Sequence, residues 1–146
     1  MDITADDFYN QLVANPDLSI HTAQTSTGYL VEMYNSMHEA GYDEIIVITI
    51  SKELSGTYQN AFLAKSMVDF PVHLYDSVSL TYIEALMAIR AKEMADKGKT
   101  VAEIFAELDF IRDNNHILIC VDTLKYLVKN GRLSNATGLI GSLLKI

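Results

Sequence analysis

The stretch IIVITISKELSGTYQNAFLA, residues 45–64, sets the fold. Residues 45–50 are Ile, Val and Thr without interruption, and β-branched side chains favour extended backbone. The run is nearly continuous rather than alternating. That pattern belongs to a strand covered on both faces, as in parallel sheets. A short polar segment follows, and Ser55-Gly56-Thr57 opens a helix that reaches about Met67. The first turn of a helix carries unpaired N–H groups and a partial positive charge. Gly56 lets a neighbour approach the backbone closely, and a hydroxyl on each side adds donors. The tripeptide therefore suits a carboxylate or phosphate. A plain serine cap accounts for it equally well.

Working outward, Thr4 reads as an N-cap with Asp6 and Asp7 in the first turn, where acids suit the helix dipole. Ile3, Phe8 and Leu12 share one face of that helix, residues 4–14, and Asn15-Pro16-Asp17 ends it. A polar loop, His21-Thr22-Ala23-Gln24-Thr25-Ser26, precedes a helix starting near Thr27. Leu30, Met33, Tyr34 and Met37 fall at helical spacing there, and Gly41 closes it. Beyond residue 67, residues 71–75 read as a second strand ending in Asp76-Ser77. A long helix spans Ser79 to Lys97 and stops at Gly98. Thr100 caps another, with Val101, Ile104, Phe105, Leu108 and Ile111 on one stripe. Residues 116–121 read as a third strand, residues 122–131 as a short helix with its terminal turn, and residues 134–144 as helical in pattern.

Strands alternating with helices predict an α/β fold, a parallel sheet with helices on both faces. Three strands are few for such a sheet. Ligands in open α/β sheets sit beyond the carboxyl ends of the strands. That rule selects residues 51–57, 76–79 and 122–123, all rich in hydroxyls or carboxylates.

The 146 residues suffice for one domain, and 49% hydrophobic content supports a core. Eleven Lys and Arg against 19 Asp and Glu give a net charge of -8, which disfavours nucleic acid and anionic membrane surfaces as partners. Cys120 is the only cysteine, so neither an intrachain disulfide nor a cysteine zinc cluster forms. Inside an apolar strand it is expected to be a buried small hydrophobe. The acidic N-terminus lacks the features of a signal peptide, and no apolar run approaches a membrane span. A cytoplasmic setting without stable membrane insertion is the expectation.

Nucleophilic catalysis by Ser55 needs a base within hydrogen-bond reach. No Gly-x-Ser-x-Gly elbow is present, and His21, His38, His73 and His116 have no motif neighbour. His73 reads as a packed core imidazole. A small serine-dependent hydrolase is thus the weaker alternative. Metal-ligand spacing, phosphate loops and dinucleotide motifs are absent from the sequence, so no metal or cofactor is expected. Arg132 follows the Asn130-Gly131 turn, and a guanidinium held on a turn can pin an anion with paired hydrogen bonds. A surface arginine near an acid is the competing reading.

Taken together, the strand, ISKELSGTYQNA (residues 50–61) and VDTLKYLVKNGRLSNATGLIGSLLKI (residues 121–146) resemble the DegV family of bacterial fatty-acid-binding proteins. YDEIIVITIS, residues 42–51, fits the same pattern, as does Asp76-Ser77 at the end of the second strand. The resemblance runs from Ile3 to Ile146. It implies a two-domain α/β protein that carries a long-chain fatty acid without performing bond chemistry. The carrier presents the acid to a separate ATP-dependent fatty acid kinase catalytic subunit, whose acyl phosphate product feeds phospholipid synthesis. Carried over residue by residue, the resemblance implies that Thr22, Ser55 with Gly56 and Thr57, and Arg132 hold or present the carboxylate. Ala23 and Thr25 stand where the family has serine and proline, which removes a hydroxyl and a rigid turn. The resemblance further implies a partial DegV-like N-terminal domain over residues 1–146. On that reading the family's first strand and C-terminal half are missing, and residues 131–146 lead toward the second domain. An incomplete sheet exposes edges and apolar surface, which raises self-association, or a ligand-free interaction fragment, as further expectations.

Overall fold

The computed structural model describes residues 3–133. The helical pattern at residues 134–144 lies outside them. In chain order the elements are α1 (Ala5–Ala14), α2 (Thr27–Glu39), β1 (Ile45–Thr49), α3 (Thr57–Lys65), β2 (Val72–Asp76), α4 (Tyr82–Ala95), α5 (Val101–Asn114) and α6 (Lys125–Lys129).

β1, α3 and β2 form the centre. The two strands pair in parallel, from Ile45 opposite Val72 to Thr49 opposite Asp76. Side chains alternate across a strand, so the pair has two apolar faces. On one, Ile45, Val47, Val72 and Leu74 meet Leu30 and Tyr34 of α2 and the fully buried Ala61 and Ala64 of α3. On the other, Ile46, Ile48 and Tyr75 meet Met87 and Ile83 of α4 and Ile104, Leu108 and Ile111 of α5. This is the α/β arrangement with both faces covered. Full burial of a side chain such as Leu108 or Met87 contributes about 1.5–3 kcal/mol. Tyr75 ties the sheet to α5 by a polar link as well, its hydroxyl donating to Asp109 at 2.9 Å.

The helix ends follow local chemistry. Thr4 Oγ1 accepts from the Asp7 N–H at 3.2 Å, and Ser26 Oγ from the Tyr29 N–H at 3.3 Å. Thr100 and Glu103 form a reciprocal capping box. α2 ends with Gly41 at φ +94°, where the Gly41 and Tyr42 N–H groups return to His38 O and Met37 O. Helix α1 buries none of its residues fully. The loop after it is tied down by α6, whose Lys125 and Lys129 ammonium groups donate to Pro16 O at 3.0 Å and Leu18 O at 3.3 Å.

The expected third strand is not formed. Among the described residues the sheet has two strands, and residues 116–121 are irregular. A strand needs a neighbour for its N–H and C=O groups, and this segment pairs with neither β1 nor β2. Ile117 still packs against the α4/α5 side of the core, but Leu118 is 98% exposed. Cys120 is exposed for the same reason, which corrects its expected burial. His73 is likewise no core imidazole: its Nε2 lies 2.9 Å from Glu44 Oε2 at the partly exposed edge of β2.

Candidate functional site

Three segments converge at the N-terminal end of α3. The β1–α3 loop folds back on itself, with the Leu54 and Ser55 N–H groups donating to Ser51 O at 3.0 and 3.1 Å. Ser55 Oγ accepts from the Thr57 N–H at 3.3 Å and lies 2.9 Å from Thr57 Oγ1. The two hydroxyls therefore form one polar unit at the first turn. Gly56, the N-cap, has ordinary backbone angles, φ -72° and ψ 4°. Its reason is space: a Cβ there would stand 3.0 Å from Gln24 Nε2. The close neighbour that the glycine admits is thus the chain's own loop at residues 22–26. Asn60 of α3 fixes the same loop by donating to Thr25 O at 2.7 Å.

Arg132 reaches this corner from α6. Gly131, at φ +71°, turns the chain, with the Gly131 and Arg132 N–H groups returning to Val128 O and Leu127 O. Arg132 Nε then donates to Leu54 O at 3.3 Å. Ser55, Gly56, Thr57 and Arg132 thus share one neighbourhood, with Gln24 and Thr25 against it. Thr22 lies in the same loop and is exposed. Its side chain makes no hydrogen bond to another described residue.

The β2–α4 loop flanks the corner. Asp76 Oδ1 accepts from the Val78 N–H at 3.0 Å and the Lys52 N–H at 3.3 Å, and Ser51 N–H donates to Ser79 O at 2.9 Å. Ser77 is fully buried, and its Oγ accepts from the Ser79 N–H at 3.1 Å. Val78 and Thr81 take positive φ, 50° and 55°. Strain of about 1–3 kcal/mol per such residue collects where structure over-determines it, commonly beside binding sites. Sequence reasoning missed both residues, because neither Gly nor Asn marks the positions. Glu84, at the start of α4, was missed too. Burial pushes its carboxyl above the usual range, opposed by the Ile50 N–H.

The histidines whose contacts are defined bond or stack away from Ser55. His21 Nε2 is 2.8 Å from Ser19 Oγ, and His38 stacks on Phe70 with ring centres 4.3 Å apart. Among the described residues, the Ser55 hydroxyl bonds to Thr57 and to no histidine. Paired hydroxyls at the first turn of a helix are donors suited to an anion.

Known proteins share this sequence and shape. The family model for the DegV family of uncharacterised proteins matches residues 1–146. A DegV domain-containing protein of Staphylococcus aureus strain N315 is 34% identical over 146 residues, 99% of this chain and 50% of its own length. A second from the same strain is also 34% identical and is covered over 51% of its length. The chain thus spans about half the length of these relatives. Among solved structures, a DegV family protein of Thermus thermophilus described for its fatty acid binding superposes with a TM-score of 0.87 at 28% identity, over 98% of this chain and 50% of that one. A hypothetical protein of Thermotoga maritima said to reveal fatty acid binding function gives 0.73 at 32% identity, over 88% and 47%. The Fatty Acid Kinase B3 protein of Streptococcus pneumoniae, loaded with linoleic acid, gives 0.77 at 25% identity, over 95% and 49%. With its whole length matched by the family model and its two-sided parallel sheet shared with these structures, the chain belongs to the DegV family.

Proposed function

We propose that this chain forms part of a binding site for a long-chain fatty acid, and that it carries the acid rather than transforming it. The carboxylate is held by Ser55, Thr57 and the N–H groups at Gly56, with Arg132 and the Thr22 loop closing over it. The single observation that carries this reading is the convergence of Arg132 and the loop at residues 22–26 on the first turn of α3. A guanidinium and paired hydroxyls near one helix N-terminus support a carboxylate as the ligand. The solved relatives named for fatty acid binding support the ligand class.

The tail supplies affinity and the head group supplies orientation. Each buried methylene is worth about 0.8 kcal/mol, so a long chain gains on the order of 10 kcal/mol, less the cost of ordering. A carboxylate at a helix N-terminus gains only about 0.3–2 kcal/mol. It must nonetheless be matched, since a buried unpaired charge costs far more. Likeness to the kinase B3 protein supports the further step, presentation of the acid to a separate fatty acid kinase subunit in a cytoplasmic setting. The chain spans about half the length of the DegV relatives, so the reading concerns the part of the binding site that this half supplies.

The test is mass spectrometry of lipid released from the purified chain, followed by titration of the delipidated protein with oleate. A bound fatty acid in the wild type, and weaker oleate binding by Ser55→Ala at unchanged melting temperature, are expected. No co-purified lipid together with no oleate binding overturns the proposal.

A further inference from the structure

Thr49 closes β1 and is 3% exposed, yet its Oγ1 has no hydrogen-bond partner among the described residues. Buried hydroxyls are nearly always matched, so an unmatched one asks for a reason. Its direction follows from the strand. Ile45, Val47 and Thr49 project to the same face, and the first two pack against α2 and α3. α3 follows β1 and returns to the start of β2, so its N-terminal end lies over the carboxyl end of the sheet. Thr49 therefore sits on the face and at the end of the sheet where Ser55, Gly56 and Thr57 stand.

The surrounding groups are already committed. Asp76, opposite Thr49 in the ladder, accepts from the Val78 and Lys52 N–H groups. Thr49 O accepts from the Ser77 N–H at 3.1 Å. Ser55 Oγ and Thr57 Oγ1 engage each other. We infer that Thr49 Oγ1 is a further head-group donor, set at the floor of the corner beneath Ser55 and Thr57. This rests on the fatty acid reading above and assigns a residue that neither sequence motif nor exposure marks. A carboxylate offers about four acceptor positions, enough to take the one hydroxyl proton that the Ser55–Thr57 bond leaves over and a third hydroxyl together.

The full chain, delipidated, is titrated with oleate beside Thr49→Val and Thr49→Ser, and each ligand-free protein is melted. Removing an unmatched buried hydroxyl leaves Thr49→Val melting at or above the wild type. Its Kd for oleate rises about tenfold, the loss of one hydrogen bond to a charged group. Thr49→Ser keeps wild-type affinity. Unchanged oleate affinity in Thr49→Val overturns the inference. So does a lower melting temperature, because the hydroxyl then has a partner inside the protein. Failure of the wild type to bind oleate removes the fatty acid reading itself, an outcome visible before any variant is compared.

Discussion

Gly56 and Gln24 meet so closely that a methyl group on the first would stand 3.0 Å from Nε2 of the second. The contact joins the loop at residues 22–26 to the start of α3, two segments with no element in common. Gly56→Ala is expected to leave the α3 backbone intact, since φ there is -72°. The Gln24 side chain must give way. The checking measurement is a double-mutant cycle with Gln24→Ala, read by oleate titration. The double variant should lose less affinity than the two single changes sum to, because trimming Gln24 makes room for the new methyl group.

Val78 and Thr81 carry β-branched side chains at positive φ. Replacing either by glycine relieves about 1–2 kcal/mol of steric cost while adding about 0.5–1 kcal/mol of unfolded-state freedom. Val78→Gly should therefore be neutral to about 1 kcal/mol more stable in urea unfolding. A clear loss of stability would show that the side chain contributes more by packing than the backbone costs.

The carboxyl of Glu84 is held above its ordinary value by burial. Its contribution to stability is present in full below the unfolded value of 4.5 and is lost as pH rises through the higher folded value. Glu84→Gln keeps an acceptor for the Ile50 N–H without the charge. It should be more stable than the wild type at pH 7, with the difference closing below pH 4.5. Urea midpoints across that range decide it.

Glu103 behaves in the opposite sense. The Lys99 ammonium, with the Thr100 N–H and hydroxyl, draws its carboxyl down to about 2. Its contribution is present above 4.5 and is lost as pH falls toward about 2. Thr100→Ala removes the other half of the capping box and should cost about 1 kcal/mol at neutral pH. Carboxyl titration followed by NMR in that variant should show Glu103 moving back up.

Tyr34 is 1% exposed with its hydroxyl unmatched among the described residues, and burial raises its pKa. Tyr34→Phe should hold or raise the melting temperature, because the ring packing against Leu30 and Ile45 is kept and an unsatisfied group is removed.

Much of this fold is written in local pattern. The unbroken apolar run at residues 45–50 gave away a strand sandwiched between helices, and Thr4, Thr100, Gly41 and Gly98 marked helix ends by their own chemistry. The run at residues 116–121 has the same local signal as β1, yet among the described residues it forms no ladder. Pairing is a property of two segments, and propensity reports on one. The corner was legible in part. Ser55 and Arg132 follow from hydroxyl and turn motifs, whereas Gln24 against Gly56, the strain at Val78 and the unmatched Thr49 hydroxyl arise only when distant segments are stacked.

Three cations in and just after α6 rest on main-chain oxygens: Lys125 on Pro16, Lys129 on Leu18 and Arg132 on Leu54. Carbonyl oxygens do not titrate in the range where carboxylates do, and their dipoles are less weakened by salt than a surface ion pair. Acid strong enough to neutralise the acidic exterior therefore leaves this latch fastened. As the medium sours, α6 should stay tied to the loop after α1 and to the β1–α3 loop for longer than the surface carboxylate pairs last.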